Sequence, residues 1–354
     1  KKVNARKLIL SKRFPNEALV EMNKENPKIF DVYRLDIISG KLELEAKNMG
    51  DVDVWLADSE LRIRAAVVAK TDGSSVLLVR ENKDSEWEEK LTWDFEDSLV
   101  GSFPPEGSRP INFSRDGKFL YLIDSTNANT KRLVKMDLAT GKKETLAYDD
   151  QYDIDSVLFN SRTNEPEMVS FVRARSEWQA MQPDIEKDLK IVLSANDGDL
   201  THIDRSSDQT KWVVGFVSDV GPMAYYLYDK QTKKVEFLFH DRPDLMKHQL
   251  AKMKSISFVA KDGLTIHGYL TCPPGKQVKK LPMVLDVHGG PWWRHVWGYR
   301  NISHNLMAQL FANRGYACMQ VNFRGSSGYG KDFMDAGYKQ WSENVLNDLV
   351  DAVN

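Results

Sequence analysis

A short apolar stretch recurs along residues 1–245, and its spacing limits the folds open to the chain. The stretches are Ala18-Leu19-Val20, Ile63-Arg64-Ala65-Ala66-Val67, Phe119-Leu120-Tyr121-Leu122-Ile123, Met168-Val169-Ser170-Phe171-Val172 and Trp212-Val213-Val214-Gly215-Phe216. They read as the first strands of successive units, and their starts lie 45, 56, 49 and 44 residues apart. Within a unit a polar turn and a second strand follow, and often an outer hairpin. Asp36-Ile37-Ile38-Ser39-Gly40-Lys41, Asp137-Leu138-Ala139-Thr140-Gly141-Lys142 and Asp229-Lys230-Gln231-Thr232-Lys233-Lys234 are such hairpins. Ser114-Arg115-Asp116-Gly117-Lys118 is a further turn, because Asp and Gly tolerate left-handed dihedrals. Several strands per unit at this period suit the blades of a propeller. A blade cannot bury both faces alone, so blades stack around an axis. A pair of β-sandwiches is the competing architecture. Its strands would follow one another every ~8–12 residues, with no longer unit above them. Residues 1–245 are therefore expected to form about five blades of a β-propeller, and blades upstream of Lys1 would complete a ring.

Near residue 250 the texture changes. Ser255–Val259 and Leu264–Leu270 form a strand pair around Lys261-Asp262-Gly263, and the loop Pro273-Pro274-Gly275-Lys276 follows. The nearly all-apolar run Pro282–Val287 suits a central strand buried on both faces. Ile302, Leu306, Met307, Leu310 and Phe311 recur at helical spacing, and Gly315 sits where a C-cap belongs. Tyr316–Val321 reads as another apolar strand. A second helix starts near Ser342, a candidate N-cap, with Trp341 and Leu346 at staple positions and Val345, Leu346, Leu349, Val350 and Val353 on one face. Strand, helix, strand, helix in that order predicts a parallel sheet covered by helices over residues 250–354.

Composition narrows the function classes. A length of 354 residues suits two domains or slightly more, and 42% apolar residues is enough to build their cores. With 28% charged residues but a net charge of only -2, no basic field for nucleic acid and no acidic tail is present. No apolar run approaches the ~18 residues of a membrane helix. Cys272 and Cys318 lie in strand-like runs and read as reduced core thiols, which favours a cytoplasmic location. Any signal peptide would precede Lys1.

Two motifs carry the chemistry. His288-Gly289-Gly290-Pro291 directly follows the buried strand. A loop there can turn a backbone N–H toward a developing oxyanion, and side chains at the glycines would block the approach. The plain alternative is a tight turn with a packed histidine. The second motif is Asn322-Phe323-Arg324-Gly325-Ser326-Ser327-Gly328-Tyr329-Gly330, after the next strand. It matches neither phosphate-binding glycine pattern. Arg324 either stiffens this loop from within or touches substrate, and Tyr329 is a second candidate for shaping the site.

His288–Pro291 followed by Trp292, Trp293, Trp297 and Gly298-Tyr299 resembles the prolyl oligopeptidase family, in particular its acylaminoacyl-peptidase-like branch. So do Phe311-Ala312-Asn313-Arg314-Gly315-Tyr316 and Asn322–Gly330. The resemblance is strong over residues 250–354 and architectural over the rest. It implies a β-propeller followed by the N-terminal part of an α/β-hydrolase domain. It implies hydrolysis of short peptides or acyl-peptides by a Ser-Asp-His triad through an acyl-enzyme, the propeller gating access. The expected partner is a short peptide, with no cofactor and no metal, and a homo-oligomer remains open. His288, Gly289 and Gly290 would form the oxyanion-hole loop.

The family's nucleophile sits in a GxSxG elbow after the second helix. No GxSxG occurs in this chain, and Gly325-Ser326-Ser327-Gly328 has the wrong spacing, with Tyr329 in place of the last glycine. The triad is therefore expected beyond Asn354, and the chain by itself is expected to be inactive. A carboxylesterase of the same fold and a non-catalytic propeller scaffold are the alternatives. Asp84, Glu86, Glu88 and Glu89 suggest an amine clamp, but their place beside Trp87 on a hairpin favours a solvated strand face. Cys272, Cys318 and His267 fit no zinc spacing.

Overall fold

The computed structural model describes residues 3–98, 107–275, 279–299 and 303–354; Lys276 and Ile302 of the sequence reading lie outside these. Five antiparallel sheets follow one another in chain order. The first contains Ala5–Leu10, Glu17–Met22, Asp31–Asp36 and Leu42–Ala46, and the second Val52–Ala57, Ile63–Ala69, Ser75–Val79 and Glu88–Trp93. The third contains Arg109–Phe113, Phe119–Asp124, Arg132–Asp137 and Lys143–Ala147. The fourth has three strands, Ile154–Phe159, Pro166–Val172 and Ser176–Ala180, and the helix Pro183–Leu193 follows it. The fifth contains Asp199–Arg205, Lys211–Val217, Ala224–Asp229 and Lys234–His240. This is the β-propeller part of the fold.

The apolar stretches expected to open each unit are the second strands of their sheets. They are the most apolar because an interior strand has neighbours on both edges and both faces. Each first strand is less buried and escaped the pattern. The outer hairpins join third and fourth strands as expected. Asp36, Asp137 and Asp229 each accept two turn N–H groups at 2.7–3.0 Å; these hold the Asp36 and Asp137 carboxyls below the usual range, and at Asp229 the Lys211 ammonium does so first, with the turn N–H groups adding to it. Gly40 and Gly141 have φ +72°, and Lys233 takes φ +58° at the same position, a strain that glycine avoids.

By packing, the chain divides into two compact units, Lys1–Tyr148 with Phe159–Glu165, and Asp149–Leu158 with Pro166–Asn354. In the first unit the second sheet buries both faces. Ala66 joins Leu19, Val32 and Trp55, whereas Ala65 and Val67 join Phe113, Leu120 and Val134. The period-two alternation of a strand produces this sharing. In the second unit, Ile185, Leu189 and Val192 of the helix pack with Met168, Trp212, Val214 and Tyr228.

The second unit also holds a mixed sheet. Its order is Met253–Val259, Thr265–Thr271, Ala317–Asn322, Met283–Val287. The first pairings are antiparallel, and Met283–Val287 runs parallel to Ala317–Asn322, as at the start of an α/β-hydrolase domain. Ala317–Asn322, between two strands, is buried throughout, whereas Met283–Val287, expected to be central, has one neighbour among the described strands and exposes Met283 and Val287. The helix Ser303–Asn313 connects the two, and Gly315, at φ +92°, ends it. Tyr316 N–H returns to the Phe311 carbonyl at 3.1 Å, closing the last turn. This helix buries Asn305, Ala308, Gln309 and Ala312, while Leu306, Met307 and Leu310 are exposed, opposite to the face expected. Gln309 explains the orientation: its amide bonds both backbone groups of Ala251, at 2.8 Å each. The last helix is Asn344–Val353. Its cap position is Glu343, not Ser342, and no side chain caps it. Val345 and Leu349 pack inward, whereas Leu346, Val350 and Val353 are exposed.

Candidate active site

Val287 pairs with Val321, so His288 and Asn322 emerge side by side at the carboxyl ends of two parallel strands. Both loops singled out from sequence start there. His288 is buried. Its ring stacks on Phe323 (4.5 Å between centroids, 18°) and meets Trp293 and His295 edge-on. Nε2 lies 3.0 Å from Ser326 Oγ, and Nδ1 lies 2.8 Å from the Gly289 carbonyl oxygen. Ser326 donates its own proton to the Phe323 carbonyl at 2.6 Å. The Gly289 carbonyl can only accept, so it takes the Nδ1 proton, and Ser326, whose own proton goes to the Phe323 carbonyl, is held as a loop brace.

The two glycines differ. Gly290 has φ +129°, and a Cβ there would sit 2.8 Å from Trp292 N and 3.2 Å from Trp293 N. Nothing lies within 4 Å of a Cβ on Gly289. Beside them is a pocket of about 240 Å³ lined by His288, Gly289, Gly290, Pro291, Phe323, Trp341 and Val345. Arg324 is not among these residues.

The stretch after the glycines is pinned by three side chains, two of which the sequence reading passed over. Asn322 accepts from His295 N–H at 2.7 Å and donates to the His295 carbonyl at 3.0 Å, so one amide fixes both backbone groups. Asn322 also donates to Tyr329 Oη at 2.8 Å. Arg294, buried, donates to the Val172 carbonyl at 2.9 Å and to Tyr329 Oη at 2.7 Å, and its guanidinium lies 4.0 Å from the centre of the Tyr329 ring. Burial pushes the Tyr329 phenol up to about 12, so it stays protonated. A single cation inside the aromatic run Trp292-Trp293-Arg294-His295-Val296-Trp297 was the signal for Arg294.

Arg324 is placed for structure. Its guanidinium forms a paired contact with Asp348 (2.9 and 2.7 Å) and reaches Asp262 at 2.6 Å, while its backbone N–H bonds Asp348 at 3.0 Å. It ties a hairpin turn, the loop and the last helix together. Hydrogen bonds that it donates to Asp348 and Asp262 hold its pKa above the ordinary arginine value. Of the acidic run expected on a strand face, Asp84 and Glu86 lie in the loop before the strand Glu88–Trp93, Glu88 and Glu89 begin that strand, and all four are exposed. Glu88 is exposed beside Lys90 (2.7 Å), and Glu89 accepts from Thr92 at 2.9 Å. Burial pushes the Cys318 thiol up to about 12, and Cys272 is half-buried. His267 stacks on Tyr329 at 4.8 Å and 5°; burial first, and then the Arg294 charge, push its pKa down. Among the described residues no three His, Cys, Asp or Glu side chains gather as a metal ion would require.

Residues 302–354 match the family model described as prolyl oligopeptidase family. The chain is 34% identical over 351 residues to dipeptidyl aminopeptidase BIII of Pseudoxanthomonas mexicana, which covers 97% of this chain and 49% of that protein. The chain belongs to the prolyl oligopeptidase family. A second member, dipeptidyl peptidase family member 6 of Caenorhabditis elegans, is 27% identical over 98% of the chain and 49% of its own length. The chain thus spans about half the length of the curated relatives it matches. Among solved structures, a puromycin-hydrolyzing peptidase of Mycobacterium tuberculosis shares the fold with TM-score 0.67 at 15% identity, covering 99% of this chain and 55% of that one.

Proposed function

We propose that this chain supplies propeller blades and the opening part of the catalytic domain of a serine peptidase that cleaves short peptides through an acyl-enzyme. The observation that carries the reading is the place of Gly290. It stands at the carboxyl end of a parallel strand, where open α/β sheets hold their ligands. It is locked in a backbone conformation that only glycine adopts freely, and it adjoins an apolar pocket. A backbone N–H of this loop donates to the carbonyl oxygen as it becomes an oxyanion. The second donor and the Ser-Asp-His triad belong to sequence after Asn354. Hydrogen bonding of Ser326 to a backbone carbonyl supports leaving the nucleophile outside this chain.

The names of the two relatives matched along nearly the whole chain favour release of dipeptides from a free N-terminus. A dipeptide p-nitroanilide and its N-acetylated form separate this from endopeptidase action. Only the free amine should be cleaved, and equal cleavage of both rejects dipeptide release.

A fluorophosphonate serine-hydrolase probe tests the reading as a whole. The 354-residue chain should stay unlabelled, and a chain extended through a GxSxG segment should be labelled. Labelling of the shorter chain would mean that the nucleophile has been misplaced, and a folded longer chain that resists the probe would favour a non-catalytic scaffold.

A further inference from the structure

A second cavity, in the first compact unit, has no part in that chemistry. It encloses about 500 Å³, and its lining contains Lys7, Lys12, Arg13, Arg115 and Arg162 against one carboxylate, Asp58. Lys7 lies in the first strand, and the other four cations come from corresponding turns of the fold. Lys12 and Arg13 lie in the turn between the first two strands of the first sheet, Arg115 in that of the third, and Arg162 in that of the fourth. The turns are tied to one another. Ser59, from the same turn of the second sheet, donates to the Arg115 carbonyl at 3.0 Å, and the Arg115 guanidinium donates to the Arg162 carbonyl.

The acids nearby are committed. Asp58 accepts from the Glu60 and Arg62 N–H groups and from the Arg62 guanidinium, which lies outside the lining. Glu60 pairs with Arg13. Asp116 is held by Ser114 and by the Lys118 N–H of its own turn. A chain of net charge -2 thus collects an excess of positive charge in one concave site. Walls of low dielectric focus such a field and raise the local concentration of anions. Buried Trp55 and Leu61 add an apolar wall, which suits an organic anion better than a bare one.

We propose that this cavity is a binding site for carboxylate-rich peptides, holding their acidic side chains or terminal carboxylate. That the ligand is a peptide rests on the peptidase reading above; the anion site does not.

The test is fluorescence anisotropy on the full-length protein. One labelled tetrapeptide is rich in Glu and amidated, one carries Gln at the same positions and is amidated, and one is the Gln peptide with a free carboxylate. The Glu peptide should bind about tenfold more tightly than the amidated Gln peptide at low salt, with the advantage shrinking as salt rises. A gain for the free-carboxylate form assigns the terminus as an additional source of the anion. The triple variant Lys7→Glu, Arg115→Glu, Arg162→Glu should abolish the advantage, whereas Lys47→Glu, Lys142→Glu, Lys234→Glu, outside the cavity, should leave it. If the first triple unfolds, Lys7→Gln with Arg162→Gln should still lower it about threefold. Equal binding of Glu and Gln peptides, or equal loss in both triples, overturns the proposal. Binding is read without turnover, so an unlabelled full-length protein would end the peptidase reading and leave the anion site standing.

Discussion

Gly289 and Gly290 are neighbours with different obligations, and substitution should separate them. In the full-length enzyme Gly290→Val has to move the Trp292 backbone, because its Cβ would approach within 2.8 Å. kcat should fall by about 10²–10³, the usual cost of a lost oxyanion donor, with a smaller change in KM. Gly289→Ala enters open space and should keep most of kcat; steady-state kinetics on one chromogenic peptide decides both. Arg324→Ala leaves Asp348 buried without its partner, which should cost about 3–5 kcal/mol in urea unfolding. His267 supplies a pH signature. Its folded pKa is pushed below its unfolded value of about 6.5, so the unfolded chain binds the proton first as pH falls. Stability should be unaffected by this residue above about pH 7 and should decline from there toward pH 5. In His267→Phe, which keeps the ring stack, melting temperature should depend less on pH over that window. The glycine loop was legible in sequence because chemistry confines those positions to one residue type. The roles of Arg294 and Asn322 were not, since each depends on partners that lie distant in sequence, such as Val172 for Arg294 and His295 for Asn322.

Among the elements, the helix Pro183–Leu193 was concealed by the repeat. Its signals were present: Pro183 at the first turn, Asp184 and Glu186 beside it, and Ile185, Leu189 and Val192 at helical spacing. A search for strands at blade period passes over them, because the helix follows a blade that has three strands. Leu189→Ala removes a buried side chain between this helix and the fifth sheet and should cost about 2–5 kcal/mol, read as a lower urea midpoint at constant slope. That Ala317–Asn322, and not Pro282–Val287, has described strands on both sides has another cause. Both runs are apolar, and only strand order, which is set by long-range pairing, distinguishes them.

At the scale of the molecule, the propeller was legible because repetition presents the same evidence five times. The α/β part was legible because two loop motifs follow two apolar strands. Which faces stay exposed was not, since both helices carry apolar residues on more than one side. Leu306, Met307 and Leu310 on one helix, and Leu346, Val350 and Val353 on the other, remain exposed, near an open strand edge at Met283–Val287. The 354-residue chain should therefore self-associate with rising concentration. Leu310→Lys with Val350→Lys should reduce its light scattering, and unchanged scattering would remove these faces as the cause. The order of the mixed sheet also bears on synthesis. Ala317–Asn322 pairs with two strands that are both made before it. Until Asn322 leaves the ribosome, Met283–Val287 has no partner and Thr265–Thr271 has one edge unfilled. Elongation across this interval takes on the order of seconds. For that time the nascent chain offers an extended apolar peptide to any chaperone that binds one, and pairing of these strands cannot compete until Ala317–Asn322 arrives.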